Sequence, residues 1–146
     1  KQRWSKFSLW ERTTRVPLII SVPGGAKTKT AQPVELLSIY PTLVDLCELP
    51  ANPKLEGVSL QPLLENPEAE WGHVALSTLG QNNHAVRDRR WRYVRYADGS
   101  EELYDHQNDP HEWHNLAVKE PTPMITKVIA RLKNRLPKTN APQRSR

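Results

Sequence analysis

Apolar positions change their spacing along the chain, and each change predicts a different element. The run Val16-Pro17-Leu18-Ile19-Ile20-Ser21-Val22 is β-branched and almost continuously apolar, and Pro23-Gly24-Gly25 closes it. Such a run predicts a strand over 15–23 buried on both faces, as in an α/β sheet, with its proline tolerated near the strand start. After a polar loop, Leu36, Leu37, Tyr40, Leu43, Val44 and Cys47 repeat at helical spacing, while Ser38, Thr42, Asp45 and Glu48 share the opposite side. The pattern predicts a helix with its apolar side inward, Ser38 as N-cap and an end before Pro50, because a residue preceding proline avoids the α region. Leu60-Gln61-Pro62-Leu63-Leu64 reads as one further helical turn.

From Trp71 to Tyr104 the pattern shifts to short strands: 74–79, 85–87, 91–96 and 102–104. Trp91, Tyr93 and Arg95 alternate with Arg92, Val94 and Tyr96, and Ala97-Asp98-Gly99-Ser100 is a turn signal, so 90–105 is predicted to be a hairpin. Thr122 as N-cap, Pro123 at the first helical position and the stripe Met124, Ile125, Val128, Ile129, Leu132 and Leu136 predict a C-terminal amphipathic helix packed on that sheet. The fold class is therefore α/β, turning to α+β in the second half. The domains read as 1–65, 66–137 and a basic tail at 138–146.

Composition narrows the picture. Over 146 residues, 37% hydrophobic and 25% charged is a globular balance that excludes disordered and fibrous classes, and 13 prolines spread through the chain predict short elements. No apolar run approaches the roughly 20 residues that span a bilayer, so no membrane role is expected. Cys47 is the single cysteine, which excludes an internal disulfide and a Cys-based zinc site, and its place on the apolar side of the predicted helix predicts core packing. The net charge of +5 is matched by Lys133, Arg135, Lys138, Arg144 and Arg146 alone, in a stretch without acids, so no folded nucleic-acid face is suggested. The chain begins with Lys1-Gln2-Arg3-Trp4 and no Met, which leads to the expectation that further chain lies upstream.

Three places offer candidate chemistry. Asp105-His106-Gln107-Asn108-Asp109-Pro110-His111-Glu112-Trp113-His114 is dense in potential metal ligands but lacks zinc-helix or calcium-loop spacing, and Asn108-Asp109-Pro110 predicts a turn held by Asx-type hydrogen bonds. Lys6 lies between Trp4 and Trp10 ahead of the predicted strand; its compact ammonium suits a sulfate or phosphate oxygen, and a surface lysine lying along an indole is the competing reading. His84 sits in a polar stretch opening a strand, where a ligand role and a hydrogen bond to backbone stand level.

The order of motifs resembles the type I sulfatases of the alkaline-phosphatase-like superfamily, and within them the iduronate-2-sulfatase and choline-sulfatase-like branch. The resemblance is carried by Trp4-x-Lys6-x-x-x-Trp10-Glu11 with Arg15-Val16-Pro17-Leu18-Ile19, by Val34 to Leu43, by Leu55-Glu56-Gly57-Val58-Ser59-Leu60-x-Pro62-Leu63-Leu64, and by Arg90-Trp91-Arg92-Tyr93 through Asn115-Leu116. It implies the end of an alkaline-phosphatase-like α/β sheet followed by a small antiparallel sheet packed with a C-terminal helix. It further implies a parent enzyme hydrolysing sulfate esters of a carbohydrate or small alcohol, periplasmic or secreted, with Lys6 as sulfate-binding and catalytic group and His84 as a second substrate contact. The family's formylglycine motif, Cys/Ser-x-Pro-x-Arg, does not occur at Cys47 or Ser21, so the nucleophile and the aspartates holding calcium are expected upstream. No metal ligand and no cofactor is expected within this chain, and on its own it is expected to be inactive.

Two other readings compete. A stand-alone polyanion-binding module would use the basic tail with Arg87, Arg89, Arg90, Arg92 and Arg95; on one regular strand, Arg87, Arg89 and Arg95 would face away from Arg90 and Arg92. A related phosphatase or phosphonate hydrolase would keep the fold and exchange the anion.

Overall fold

The computed structural model describes residues 7–140. In chain order its elements are α1 (Glu11–Thr14), a 3-10 turn (Leu36–Ser38), α2 (Ile39–Leu46), α3 (Gln61–Glu65), β1 (Ala75–Thr78), β2 (His84–Arg87), β3 (Trp91–Arg95), β4 (Glu101–Asp105) and α4 (Pro123–Lys133). They fall into two compact units: Pro17–His73 forms one, and the segment ending at Val16 joins the chain from Val74 onward in the other.

The second of these units is built on an antiparallel meander in the order β1-β2-β3-β4. The β3–β4 turn forms as the sequence predicts: Gly99 takes a φ of 85°, and Asp98 Oδ1 accepts from the Ser100 amide at 2.9 Å. Alternation along β3 sends Trp91 and Tyr93 to one face, where they meet Val86, Leu103, Ile125 and Leu132 in the main core. Helix α4 covers that face. The Thr122 hydroxyl accepts from the Ile125 amide at 3.4 Å, and Pro123 opens the helix. Met124, predicted on the buried stripe, is instead exposed. On the opposite face Val94 and Ala85 are covered by Leu9, which is only 2% exposed.

Arginine placement corrects the single-strand reading. Asp88 Oδ1 accepts from the amides of Arg90 and Trp91, forming a turn that separates β2 from β3. Arg87 thereby becomes the cross-strand partner of Arg92, and residues directly opposite share a face. The two arginines do belong to one surface, on which Arg92 is buried and Arg87 half-buried.

The Pro17–His73 unit departs further from its periodicity. Residues 15–22 form no strand, and Ile19 is 88% exposed. A strand requires a ladder partner, and among the described residues all strands lie between Ala75 and Asp105. Helix α2 forms with Val44 buried as predicted and Asp45 exposed, but Thr42 and the preceding Ser38 are buried as well, while Leu36, Leu37, Tyr40 and Leu43 are exposed. A hydrogen-bond relay satisfies the buried hydroxyl. Thr42 Oγ1 donates to the Ser38 carbonyl at 2.6 Å and accepts from the Leu60 amide at 2.8 Å, tying α2 to the start of α3 beside Val44, Leu60 and Leu63. Ser38 takes an αR conformation and caps nothing with its side chain. The helix ends before Pro50 as predicted, through Glu48 at a φ of 51° with Leu49 N donating to the Val44 carbonyl at 2.9 Å. Cys47 is exposed at that end, so the expected core packing is not found.

Gly57 marks the tightest approach in this unit: a Cβ there would stand 2.1 Å from the Leu37 carbonyl oxygen. Backbone has to move to admit it. Gly57→Ala should cost about 1–3 kcal/mol, the usual penalty of overpacking; an unchanged denaturant midpoint in the purified 146-residue chain would refute this.

Candidate functional site

The strongest polar constellation is buried on the sheet face opposite α4. It begins where Leu9 seats its side chain against Ala85 and Val94, because this puts the next two residues over Arg92. Arg92, 3% exposed, donates from a terminal nitrogen to the Leu9 carbonyl at 2.9 Å and from the other to Glu11 Oε2. Arg87 adds its Nε to the same Glu11 oxygen at 3.3 Å. Glu112 completes the group: its Oε2 accepts from the Glu11 amide at 3.0 Å, and its Oε1 lies 2.9 Å from Arg92 Nε and 3.0 Å from His106 Nε2. The Arg92 Nε contact is an ion pair whose N–H is not aimed at the oxygen, so the charge is compensated without a formed hydrogen bond there.

Local structure delivers each partner. Trp10 is itself in an extended conformation and its carbonyl accepts from the Thr13 and Thr14 amides, which turns the chain into α1 and presents Glu11. Its indole Nε1 donates to Glu102 Oε2 at 2.8 Å, a second tether to β4. Glu112 is held at a φ of 58°, a conformation unfavourable for a non-glycine residue, at the end of the turn that follows β4. That turn is the Asx-type structure the sequence predicts: Asp105 accepts from the Gln107 amide and the Asn108 side chain, and Asp109 accepts from the Trp113 and His114 amides at 3.0 and 2.8 Å.

Glu11, His106 and Glu112 each offer a ligand atom within 4.8 Å of the others. The trio does not suit a cation. Arg87 and Arg92 already place two positive charges on the two carboxylates, and a divalent ion would have to displace or face them across a buried site. The calcium implied by the family resemblance is thus not accommodated by this cluster.

Lys6 lies outside the described residues. His84 is the first residue of β2 and is buried, with Nδ1 2.9 Å from Thr78 Oγ1 and Nε2 3.0 Å from Asn140 Oδ1. The Asn140 oxygen also accepts from the Asn82 amide, so Nε2 is the donor and Nδ1 takes the Thr78 hydroxyl proton in the neutral ring. The Arg87–Arg95 group offers no continuous anion-facing surface. Arg87 and Arg92 are committed to Glu11 and Glu112, and Arg90 makes a two-pronged pair with Asp105 at 2.9 and 2.7 Å. Sequence reasoning missed the Glu11–Arg92–Glu112 cluster because its members are scattered, although each of the three lies within a string that carries the family resemblance.

The four-stranded meander backed by a C-terminal helix, following mixed helical structure, is an alkaline-phosphatase-like arrangement shared with solved enzymes. The solved structure of a phosphonate monoester hydrolase from Silicibacter pomeroyi is similar with a TM-score of 0.68 and 25% identity, covering 90% of this chain and 30% of that one. A family model described as N-sulphoglucosamine sulphohydrolase, C-terminal, matches residues 2–142, and the chain belongs to that family. It is 42% identical over 142 residues to a sulfatase of Formosa agariphila, covering 97% of this chain and 27% of that protein. It is 34% identical over 121 residues to a choline-sulfatase of Rhizobium meliloti, covering 78% of this chain and 23% of that protein. The chain thus spans about a quarter of the length of these relatives.

The buried cluster carries a pH signature. Burial pushes the Glu11 carboxyl up, but the hydrogen bond and charge of Arg92, with Arg87 and His106 adding, outweigh it and hold Glu11 below its ordinary 4.5. The hydrogen bond from Arg90 is the main cause that lowers Asp105, against an opposing effect of burial. A carboxyl whose folded-state pKa is depressed contributes stability above its unfolded value and loses it as pH falls through the folded one. The melting temperature of the 146-residue chain should therefore fall as pH drops below 4.5, and Glu11→Gln should flatten that fall. Parallel melting curves for the two proteins across this range would contradict the assignment.

Proposed function

We propose that this chain is the C-terminal part of a sulfatase that hydrolyses sulfate esters of a carbohydrate or small alcohol. The observation that carries the reading is the 42% identity to the Formosa agariphila sulfatase across 97% of the chain. In this reading Lys6 is the chain's contribution to the reacting centre. Its ammonium neutralises sulfate oxygens in the bound ester and stabilises the charge that builds on the sulfuryl group and leaving oxygen in the transition state. The nucleophile and the calcium ligands belong to residues outside this chain, and calcium supplies charge neutralisation there when bound.

The likeness to a phosphonate monoester hydrolase favours one second reading, in which the same lysine meets a phosphonate oxygen. Both anions present oxygens to an ammonium at similar distances, so charge alone does not separate them. Assaying the parent enzyme in parallel on an aryl sulfate and on a phenyl phosphonate ester does; preference for the phosphonate would overturn the sulfatase reading.

Two substitutions in the parent enzyme probe the residues. Lys6→Ala should lower kcat/KM on an aryl sulfate by on the order of 10²-fold with little change in melting temperature. An unchanged kcat/KM would return Lys6 to the role of a surface lysine along an indole.

His84 is proposed to contact the sugar or alcohol portion, exchanging its Nε2 hydrogen bond from Asn140 to the substrate. Such a contact exists in ground and transition states alike. His84→Ala should then raise KM for the natural ester while sparing a small aryl sulfate. Equal losses on both substrates, or a lower melting temperature without kinetic change, would refute it.

A further inference from the structure

Charge is distributed unevenly in the sheet-bearing unit. Of the chain's 21 bases and 16 acids, residues 121–140 hold Lys127, Arg131, Lys133, Arg135 and Lys138 and not one acid, so the rest of the chain balances. All five of these bases are exposed. Helices ordinarily gain from acids in the first turn, at the positive end of the dipole, and from acids one turn away from their lysines. Helix α4 has neither: its first turn holds no acid, and the carboxylates that reach Arg131 and Lys133 come from the meander, Asp88 at 2.6 Å and Glu101 at 2.9 Å. Burial of Ile125 and Leu132 in the main core fixes which side of α4 faces the sheet. Lys127 and Arg131 stand one turn apart on the same flank, about 6 Å along the axis. Arg135 continues the row, because its amide still donates to the Leu132 carbonyl at 2.9 Å. The Arg131–Asp88 pair brings this flank against the turn between β2 and β3, where Arg89 and Arg90 are exposed as well.

We propose that the Lys127–Arg131–Arg135 flank of α4 is a binding face for a sulfated polysaccharide, which it holds by sulfates other than the one being hydrolysed. The choice of a sulfated sugar polymer rests on the function proposed above. A polymer with sulfates on successive repeats presents its charges in a row. A row of cations meets several of them at once, so contacts that are weak singly add up and raise the local concentration of substrate. The arginine fork can meet two sulfate oxygens together, and lysine adds a point charge. A nucleic acid also carries a row of charges, but single strands are held largely by stacking on aromatic side chains, and residues 121–140 contain none.

The test uses heparin as the probe polymer and measures its binding to the 146-residue chain and to the parent enzyme at low and high salt. Lys127→Gln combined with Arg135→Gln should weaken heparin binding about three- to ten-fold at low salt, and the difference should close as salt rises. Both side chains are exposed, so the melting temperature should hold. Arg144→Gln combined with Arg146→Gln removes the same charge from residues outside those described and should cost clearly less. In the parent enzyme, the helix variant should raise KM for a sulfated polysaccharide about three-fold or more beyond any rise for an aryl sulfate. Heparin affinity unmoved by the helix variant, an equal loss from the tail variant, tighter binding of duplex DNA than of heparin, or KM rising equally on both substrates would overturn the binding face. A parent enzyme that loses heparin affinity as expected and yet hydrolyses no sulfate ester would overturn the proposed function instead and leave the face standing.

Discussion

Arg92 is the interaction on which the sheet-bearing unit depends. It is the second residue of β3, on the face opposite the α4 core, with its guanidinium almost wholly removed from water. A charge in that position is costly unless its partners are in place, and they come from distant stretches of chain: the Leu9 carbonyl, Glu11 and Glu112. Each partner is therefore held by the penalty of leaving the others unpaired, which is typically about 3–5 kcal/mol when one member of a buried pair is removed. The N-terminal segment, strand β3 and the turn after β4 are joined by this one group.

The two faces of the meander are finished by different chemistry. Toward α4 the contact is apolar, built from Val86, Trp91, Tyr93, Leu103, Ile125 and Leu132, and it is adaptable in the sense that similar volumes would pack similarly. Toward the N-terminal segment, a small apolar contact of Leu9, Ala85 and Val94 is bordered by the ion cluster, whose hydrogen bonds fix direction as well as proximity. Outer pairs such as Arg131–Asp88 and Lys133–Glu101 are exposed and contribute little.

The Pro17–His73 unit follows another logic. Its own core is limited to Val44, Leu60 and Leu63 beside the buried hydroxyl of Thr42, while Ile19, Leu36, Leu37, Tyr40 and Leu43 remain exposed. The pattern of apolar residues in this stretch exceeds what the unit itself can bury. That is consistent with membership of a family whose relatives are about four times as long.

Local signals were legible where the interaction that decides them is itself local. The Asp98-Gly99 turn, the Thr122 cap with Pro123, the end of α2 before Pro50 and the Asx turns of Asp105 and Asp109 all depend on neighbours within a few residues, and the sequence determined them. The resemblance to sulfatases was legible for the same reason, since motifs are local strings. What only the tertiary structure decided were the choices of partner. Whether 15–22 pairs as a strand, which side of α2 turns inward, and whether Arg87 and Arg92 share a face depend on residues far away in the chain. The turn at Asp88 reverses the facing that a continuous strand would impose, and the Leu60 amide supplies the partner that lets the Thr42 hydroxyl be buried beside Val44. The Glu11–Arg92–Glu112 cluster is the extreme case, because periodicity reports which residues want burial, whereas a buried charge is explained only by the particular partners that the fold brings to it.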